Sequence, residues 1–389
     1  MKKKYIVDPV LGEILIEDEL IFNLMETKEF RRLHWISHLG FTDFLFPAAT
    51  FTRYLHSLGV YEIARRMLNV LKAEINENTE RAILSAALLH DLGHGIFSHS
   101  FENISQIKHE KYSLKIITSD ETEINKIFLK YHPDVLKETI LILKGKHPLR
   151  WINQLISSEI DADRIDYLLR DSYFTGALFG KIDLNYLLKN ILIFKNELVF
   201  QYKALSLVES IVLARLHMNK SVYKNLKSFS LQEQFIWLFN RLRFLNDNNL
   251  LNNKYDELLL PLYKKELSVK EFLKLDDILF LNALRKIQEE ENDNIIKQLS
   301  TNILEKRLPK VYETEEEINN LKNEIIPEQK NQTWNIITLN KSINFLYTTK
   351  KNEAKILIDN SIYSLREVSS IIKNKSNDKN FSKKVGVSI

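Results

Sequence analysis

From about Glu19 to Asn190 this chain places apolar residues at three- and four-residue intervals, the spacing that gives an α-helix one apolar face. The pattern is strongest over residues 58–71, 80–89, 106–117 and 160–170. Such stripes are buried by packing helix on helix, so the expected fold is mainly α, a helical bundle. Strand signals are short and peripheral. Residues 5–17 set Asp-Pro and a glycine before a β-branched alternation, and 191–202 holds two β-rich runs parted by Lys195-Asn196-Glu197; each predicts a short hairpin. Beyond about residue 300, β-branched or apolar runs at 335–339, 343–348 and 354–358 are set off by polar breaks, which predicts a smaller mixed α+β C-terminal region. The expected division is a domain over 1–235 with its motif core at 53–171, a helical and then α+β region over 236–375 suited to oligomerisation, and a flexible tail over 376–389 rich in Lys, Asn and Ser.

Composition narrows the chemistry more than the fold. The 389 residues are 44% hydrophobic, enough for a sizeable core, and a net charge of +4 among 27% charged residues makes the surface mildly basic. That suits an anionic substrate but lacks the dense basic patch with interleaved aromatics expected of a nucleic-acid binder. No cysteine is present, which excludes disulfides and thiolate ligands and leaves imidazole and carboxylate to hold any metal. The basic N-terminal residues are not followed by an apolar stretch fit for a signal peptide, and no run is long enough to span a bilayer, so a soluble, cytoplasmic protein is expected.

Six of the ten histidines fall between His38 and His109. An apolar helix ends there in His90-Asp91, followed by Gly93, His94, Gly95 and His99. Successive residues project about 100 degrees apart on a helix, so His90 and Asp91 converge on one ion only at a helix end, which the two glycines are expected to supply. Upstream, Arg53 and His56 lie three residues apart on one helical face, a guanidinium for phosphate beside an imidazole for metal. Downstream, Asp163, Tyr167 and Asp171 follow at four-residue steps and would line a wall of the same pocket; Asp161, two residues before Asp163, competes with it for the roles of ligand and helix cap. Each piece alone has an ordinary explanation: a His-Asp pair is usually hydrogen-bonded surface, and an acidic helix start usually serves the helix dipole.

Together, Arg53-x-x-His56, His90-Asp91-Leu-Gly-His94-Gly-x-Phe-Ser-His99, His109-Glu110 and Asp-x-Asp163-Arg164-x-Asp-Tyr167-x-x-x-Asp171, in that order, resemble the HD-domain deoxynucleoside triphosphate triphosphohydrolases across roughly residues 4–225. The resemblance implies an HD-domain helical bundle in which His56, His90, Asp91 and Asp163 hold a divalent transition metal (Mn, Fe, Co, Ni or Zn), with Mg able to accompany the nucleotide. It implies attack of an activated water at the α-phosphorus and release of triphosphate. His109 would protonate the departing 5′ oxygen, with Glu102 and Glu110 as its carboxylate partners. Arg53, His94, His99, Arg164 and Arg215 would surround the triphosphate. His38, Leu39, Tyr167, Asp171 and Tyr223 would meet the sugar and base, Tyr167 closely enough to exclude a 2′ hydroxyl. A homo-oligomer, dimer or tetramer, is implied as well.

Several positions depart from the family pattern. Glu102 stands where many relatives have Asp, His38-Leu39 where they often have Gln-Leu, and Asn225 where His is frequent. Nucleotide-activated relatives bind an effector base with an Asp, Gln and Arg set; Glu26, Arg31 and His34 occupy those positions here, so activation by GTP in that manner is not expected. The rival within this chemistry is an HD phosphohydrolase for a nucleoside monophosphate or signalling nucleotide. A more distant rival is a catalytically silent nucleotide or nucleic-acid binder.

Overall fold

The structure, a computed structural model, describes residues 3–324, 337–344, 353–375 and 382–388. At its centre the helices Arg53–Leu71 and Glu77–Leu89 pack on each other, and Ala162–Thr175 packs against the first. Residues 82–89 are buried on every side, as befits a helix inside a bundle rather than on its surface. Side-chain caps fix where helices start: Asn76 accepts the Thr79 amide and Asp161 accepts the Arg164 amide. His99–Ser105 and His109–Thr118 follow the central pair and close one side of the site.

Both expected hairpins are present. Lys4–Asp8 pairs antiparallel with Gly12–Ile16, and the Asp8 carboxylate accepts the Val10 and Leu11 amides to set the turn. Ile191–Phe194 pairs with Glu197–Gln201 across Lys195 and Asn196, both at positive φ, as a two-residue turn between right-twisted strands requires.

The C-terminal third departs from the expected division. The limit placed at 235 falls inside the 22-residue helix Leu226–Asp247, and Phe235 in that helix contacts Phe41 and Phe280, so both sides of the limit share one core. Lys355–Ile358 runs parallel to Glu197–Gln201, with Phe200 opposite Ile356, and Ser361–Ser364 completes a four-stranded sheet with the earlier hairpin. Those two late strands therefore join the first half of the chain, whereas three others pair among themselves in a separate sheet. Ser382–Ser388, expected to be tail, is a strand between Lys310–Tyr312 and Ile337–Asn344. Its lysines and serines hid the alternation that marks a strand. Residues 335–336, 345–348, 376–381 and 389 lie outside the described residues. Among the described residues no helix is long and apolar enough to cross a membrane.

Candidate metal centre and active site

The helix Glu77–Leu89 ends one residue before His90, whose side chain and that of Asp91 then turn toward one point. His56 arrives from the first turns of Arg53–Leu71, and Asp163 from the first turn of Ala162–Thr175. His56 Nε2 lies 3.1 Å from Asp163 Oδ1 and 3.5 Å from Asp91 Oδ2; His90 Nε2 lies 3.3 Å from Asp91 Oδ1 and 3.8 Å from Asp163 Oδ1. Both Nε2 atoms are buried and make no hydrogen bond, a state polar groups rarely keep without a ligand. Their tautomers are set from behind: His56 Nδ1 faces Asp166 at 2.8 Å and His90 Nδ1 faces the Ala87 carbonyl at 2.9 Å, so each Nε2 lone pair points forward. Two imidazoles and two carboxylates fit a divalent transition ion. The electrostatics agree. Burial disfavours charge on His56, yet Asp163, Asp166 and Asp91 outweigh it and push its pKa up to about 9, the mark of a cage that calls for positive charge.

Behind His56 runs a chain of buried ions. Asp166 accepts from Arg170 Nε at 2.9 Å and Nη2 at 2.8 Å, and Arg170 Nη1 donates to Asp8 at 2.8 Å. The Asp166, Arg170 and Asp8 side chains are fully shielded from solvent. The N-terminal hairpin is thereby tied to a metal-facing imidazole. Gly59 makes room for this chain: a Cβ there would sit 1.9 Å from Asp166 Oδ1 and 2.4 Å from Arg170 Nη2. Gly93 serves a different approach. Its φ is ordinary, so it does not end the helix through backbone freedom; a Cβ there would lie 2.1 Å from the His109 carbonyl. Ser113 Oγ accepts the Gly93 amide and donates to the His90 carbonyl, which clamps the His109 helix onto the His90-Asp91 turn.

In front of the metal-facing atoms opens a cleft of about 570 Å³. On one side His109 Nδ1 lies 2.6 Å from Glu102 Oε1, and its ring stacks on His94 at 3.9 Å. Burial alone would lower the His109 pKa, but Glu102, with Asp91 and Glu110, raises it above the usual imidazole value. Glu102 is held well below the carboxylate range: burial opposes this, but His109, His99 and Lys108 all donate to it. His94 and His38 are kept neutral, first by burial and then by the nearby Arg53. Arg53 Nη1 donates to Asp91 at 2.5 Å, Nε to Ser98 Oγ at 2.9 Å and Nη2 to the His38 carbonyl at 3.0 Å. On the opposite wall Tyr223 donates to Asp171 Oδ2 at 2.5 Å, and Tyr167 meets Tyr223 edge to face. Tyr223 ends a π-helical turn, Asn219–Tyr223, a distortion often found at functional sites. Burial pushes the Asp171 pKa up to about 7 even against the Tyr223 hydrogen bond.

The HD domain family profile matches residues 53–171. An uncharacterized protein of Mycoplasma pneumoniae is 34% identical, with 96% of this chain and 95% of that protein aligned. A phosphohydrolase of Bacteroides thetaiotaomicron, whose crystal structure is known, superposes with a TM-score of 0.88 over the whole of both chains at 26% identity. A deoxynucleoside triphosphate triphosphohydrolase SAMHD1 homolog of Dictyostelium discoideum is 32% identical over 44% of this chain and 37% of its own length. This chain belongs to the HD-domain family.

For an HD-domain protein the expected ligands His56, His90, Asp91 and Asp163 do converge, and Asp161 turns away to cap its helix through the Ser158 and Arg164 amides. Leu39, His94, His99, Arg164 and Arg215 line the cleft together with Arg53. His38 sits deeper than expected of a base contact, 3.5 Å from Asp171 and packed on Phe51 and His56. Glu110 is mostly exposed and 3.7 Å from His109, whereas Glu102 hydrogen-bonds the ring. Asp166, Arg170, Asp8 and Ser98 escaped the sequence reading. A second acid three residues after Asp163 was the available signal for Asp166, because i and i+3 share a helix face.

Proposed function

We propose that this chain is a metal-dependent hydrolase that splits deoxynucleoside triphosphates into deoxynucleoside and triphosphate. The observation that carries the reading is the placement of the His109–Glu102 pair on one side of the metal-facing cage and the Tyr167, Asp171 and Tyr223 wall on the other, within one cleft. When bound by His56, His90, Asp91 and Asp163, a divalent ion supplies Lewis acidity and a water acidic enough to attack phosphorus near neutral pH. Arg53, Arg164 and Arg215 offer guanidinium forks to the phosphate oxygens, and His99, largely exposed at the mouth, can add a further donor. His109, kept protonated by Glu102 at Nδ1, delivers its Nε2 proton to the 5′ oxygen as the ester bond breaks. Asp171 takes a sugar hydroxyl as partner, and the Tyr167 ring packs on the deoxyribose face. Mn, Fe, Co, Ni and Zn all suit the donor set, and a homo-oligomer in the cytoplasm remains the expected setting.

The test is incubation with each deoxynucleoside triphosphate, singly and mixed, across several divalent metals, with products separated by chromatography and His90→Ala as control. Triphosphate and deoxynucleoside in equal amounts support the reading. Release of orthophosphate alone would sink it and favour a phosphatase acting on a monophosphate or signalling nucleotide.

A further inference from the structure

The loop that carries His94 and leads into His99 passes through two non-glycine residues with left-handed φ, Phe97 at 49° and Ser98 at 57°. Ser98 continues with ψ of −120°, a combination L-residues rarely adopt unless neighbours enforce it. Part of the enforcement is local, since Ser98 Oγ donates to the Ser37 carbonyl at 2.5 Å and accepts from Arg53. The other part comes from far along the chain. Asp277, the first residue of the helix Asp277–Glu290, accepts the Phe97 amide on Oδ1 at 2.7 Å and the Ser37 amide on Oδ2 at 2.8 Å. One buried carboxylate thus joins the segment entering His38 to the segment between His94 and His99. Arg32 reinforces the seam by donating to the carbonyls of Leu275, Leu92 and His94. Phe280 of the same helix meets the Phe97 ring edge-on, so the helix touches the loop by packing as well as by charge.

We propose that Asp277 is a positioning residue for the phosphate side of the cleft, holding the His38 and His94–His99 segments in one register through the Ser37 and Phe97 amides. It touches none of the four metal-facing side chains, so its effect is separable from metal binding. The clamp needs the ionised carboxylate, because a protonated acid replaces one acceptor with a donor that neither amide can use. Burial pushes the Asp277 pKa up; the two amides oppose this, Asp276 adds to it and Arg32 reduces it, leaving a value of about 7. The clamp is therefore complete on the alkaline side and lost as pH falls through that value. Asp277→Asn imitates the protonated form at every pH.

The experiment follows hydrogen exchange of the Phe97 and Ser37 amides, corrected for intrinsic rates, in the wild type and in Asp277→Asn between pH 6 and 8.5. Alongside it, calorimetry measures the affinity of the Mn-loaded proteins for inorganic tripolyphosphate. Wild-type protection is expected to fall as pH drops through about 7, and the variant to be weakly protected throughout. Tripolyphosphate affinity at pH 8.5 is expected to fall about tenfold in the variant, the size of one charge-assisted hydrogen bond, with Mn affinity unchanged. Wild-type protection that ignores pH, or a variant with wild-type protection and affinity, overturns the proposal. Should the variant fail to fold, the wild-type exchange profile alone decides. The calorimetric arm rests on the phosphate reading of the cleft: a wild type that does not bind tripolyphosphate counts against that reading, while the exchange arm still judges Asp277.

Discussion

Gly59→Ala should destabilise this protein, although the same change in an ordinary helix stabilises it. Alanine is favoured over glycine in a helix interior by roughly 1 kcal/mol. At position 59, however, the new methyl would lie 1.9 Å from Asp166 Oδ1 and 2.4 Å from Arg170 Nη2. Restoring a contact of about 3.5 Å demands a shift of roughly 1.6 Å. The His56–Asp166 hydrogen bond, 2.8 Å long, cannot survive a displacement of that size directed away from the helix, and the Asp166–Arg170 pair is strained with it. Breaking a buried ion pair costs about 3–5 kcal/mol. Set against the helix gain, the net loss of stability is about 2–4 kcal/mol. Metal binding should weaken as well, by about 10- to 100-fold, because His56 loses the group that orients its ring. Denaturant titration of the metal-free protein reads the first quantity and calorimetric titration with Mn reads the second. A variant that gains about 1 kcal/mol and binds Mn as tightly as its parent would refute the reasoning, because it would show that the helix moves aside and the buttress is dispensable.

The metal itself should act as a stabiliser: at 100 times its dissociation constant it adds about 2.7 kcal/mol, read as a shift in denaturant midpoint that EDTA reverses. His90→Ala should abolish that shift, and a persistent shift would place the ion elsewhere. The His109 proton is expected to set the alkaline limb of the rate profile, since Glu102 raises the pKa of that imidazole. The sign follows from linkage: the pair's contribution to stability is complete below the unfolded imidazole value of about 6.5 and disappears as pH rises through the higher folded value. Glu102→Gln should move the limb to lower pH with Mn content unchanged; an unmoved limb would assign it to another group. Tyr167→Ala should narrow the preference for deoxy- over ribonucleotides by about tenfold in kcat/KM, and an unchanged ratio would remove Tyr167 from sugar selection.

The groups that face the cleft were legible in the sequence because each combines a chemical type with a helical interval. Arg53 and His56 share a face at i,i+3 and His90-Asp91 sits where an apolar helix runs out, whereas the division of Asp161 as cap from Asp163 as cleft-facing acid follows from the family pattern running on into Arg164. Groups acting from behind were not legible, for a physical reason. Arg170 meets Asp8 across 162 residues of chain, and Asp277 meets Phe97 across 180 and Ser37 across 240. In sequence each looks like a solvated charge on a helix or a turn, and only packing shows that water is gone. Gly59 was equally silent, since a helical glycine reads as a weak helix former until its neighbours are known. The strand at 355–358 shows in the sequence as a β-rich run, but its parallel partner does not, and the strand at 382–388 shows in neither respect, because such partners are chosen by the fold and not by any nearby turn.

The buried charges on Asp8, Asp166 and Arg170 also bear on why the N-terminal hairpin belongs to the site. Removing three ionised side chains from water is costly, and replacing such a set with apolar residues of the same volume often leaves a protein more stable. Burial energy therefore does not account for their presence. What the set provides is geometric: Asp166 holds Nδ1 of His56, Arg170 fixes both oxygens of Asp166, and Asp8 anchors Arg170 to a turn that its own carboxylate builds. Asp8→Asn keeps the turn acceptor and the shape while removing the charge opposite Arg170. It is expected to leave the hairpin in place, to weaken Mn binding less than Gly59→Ala does, and to lower stability because Arg170 Nη1 loses its charged acceptor while Asp166 still holds Nε and Nη2. Mn affinity equal to wild type in Asp8→Asn together with a large loss in Gly59→Ala would confine the orienting role to Asp166 and leave the hairpin as packing alone.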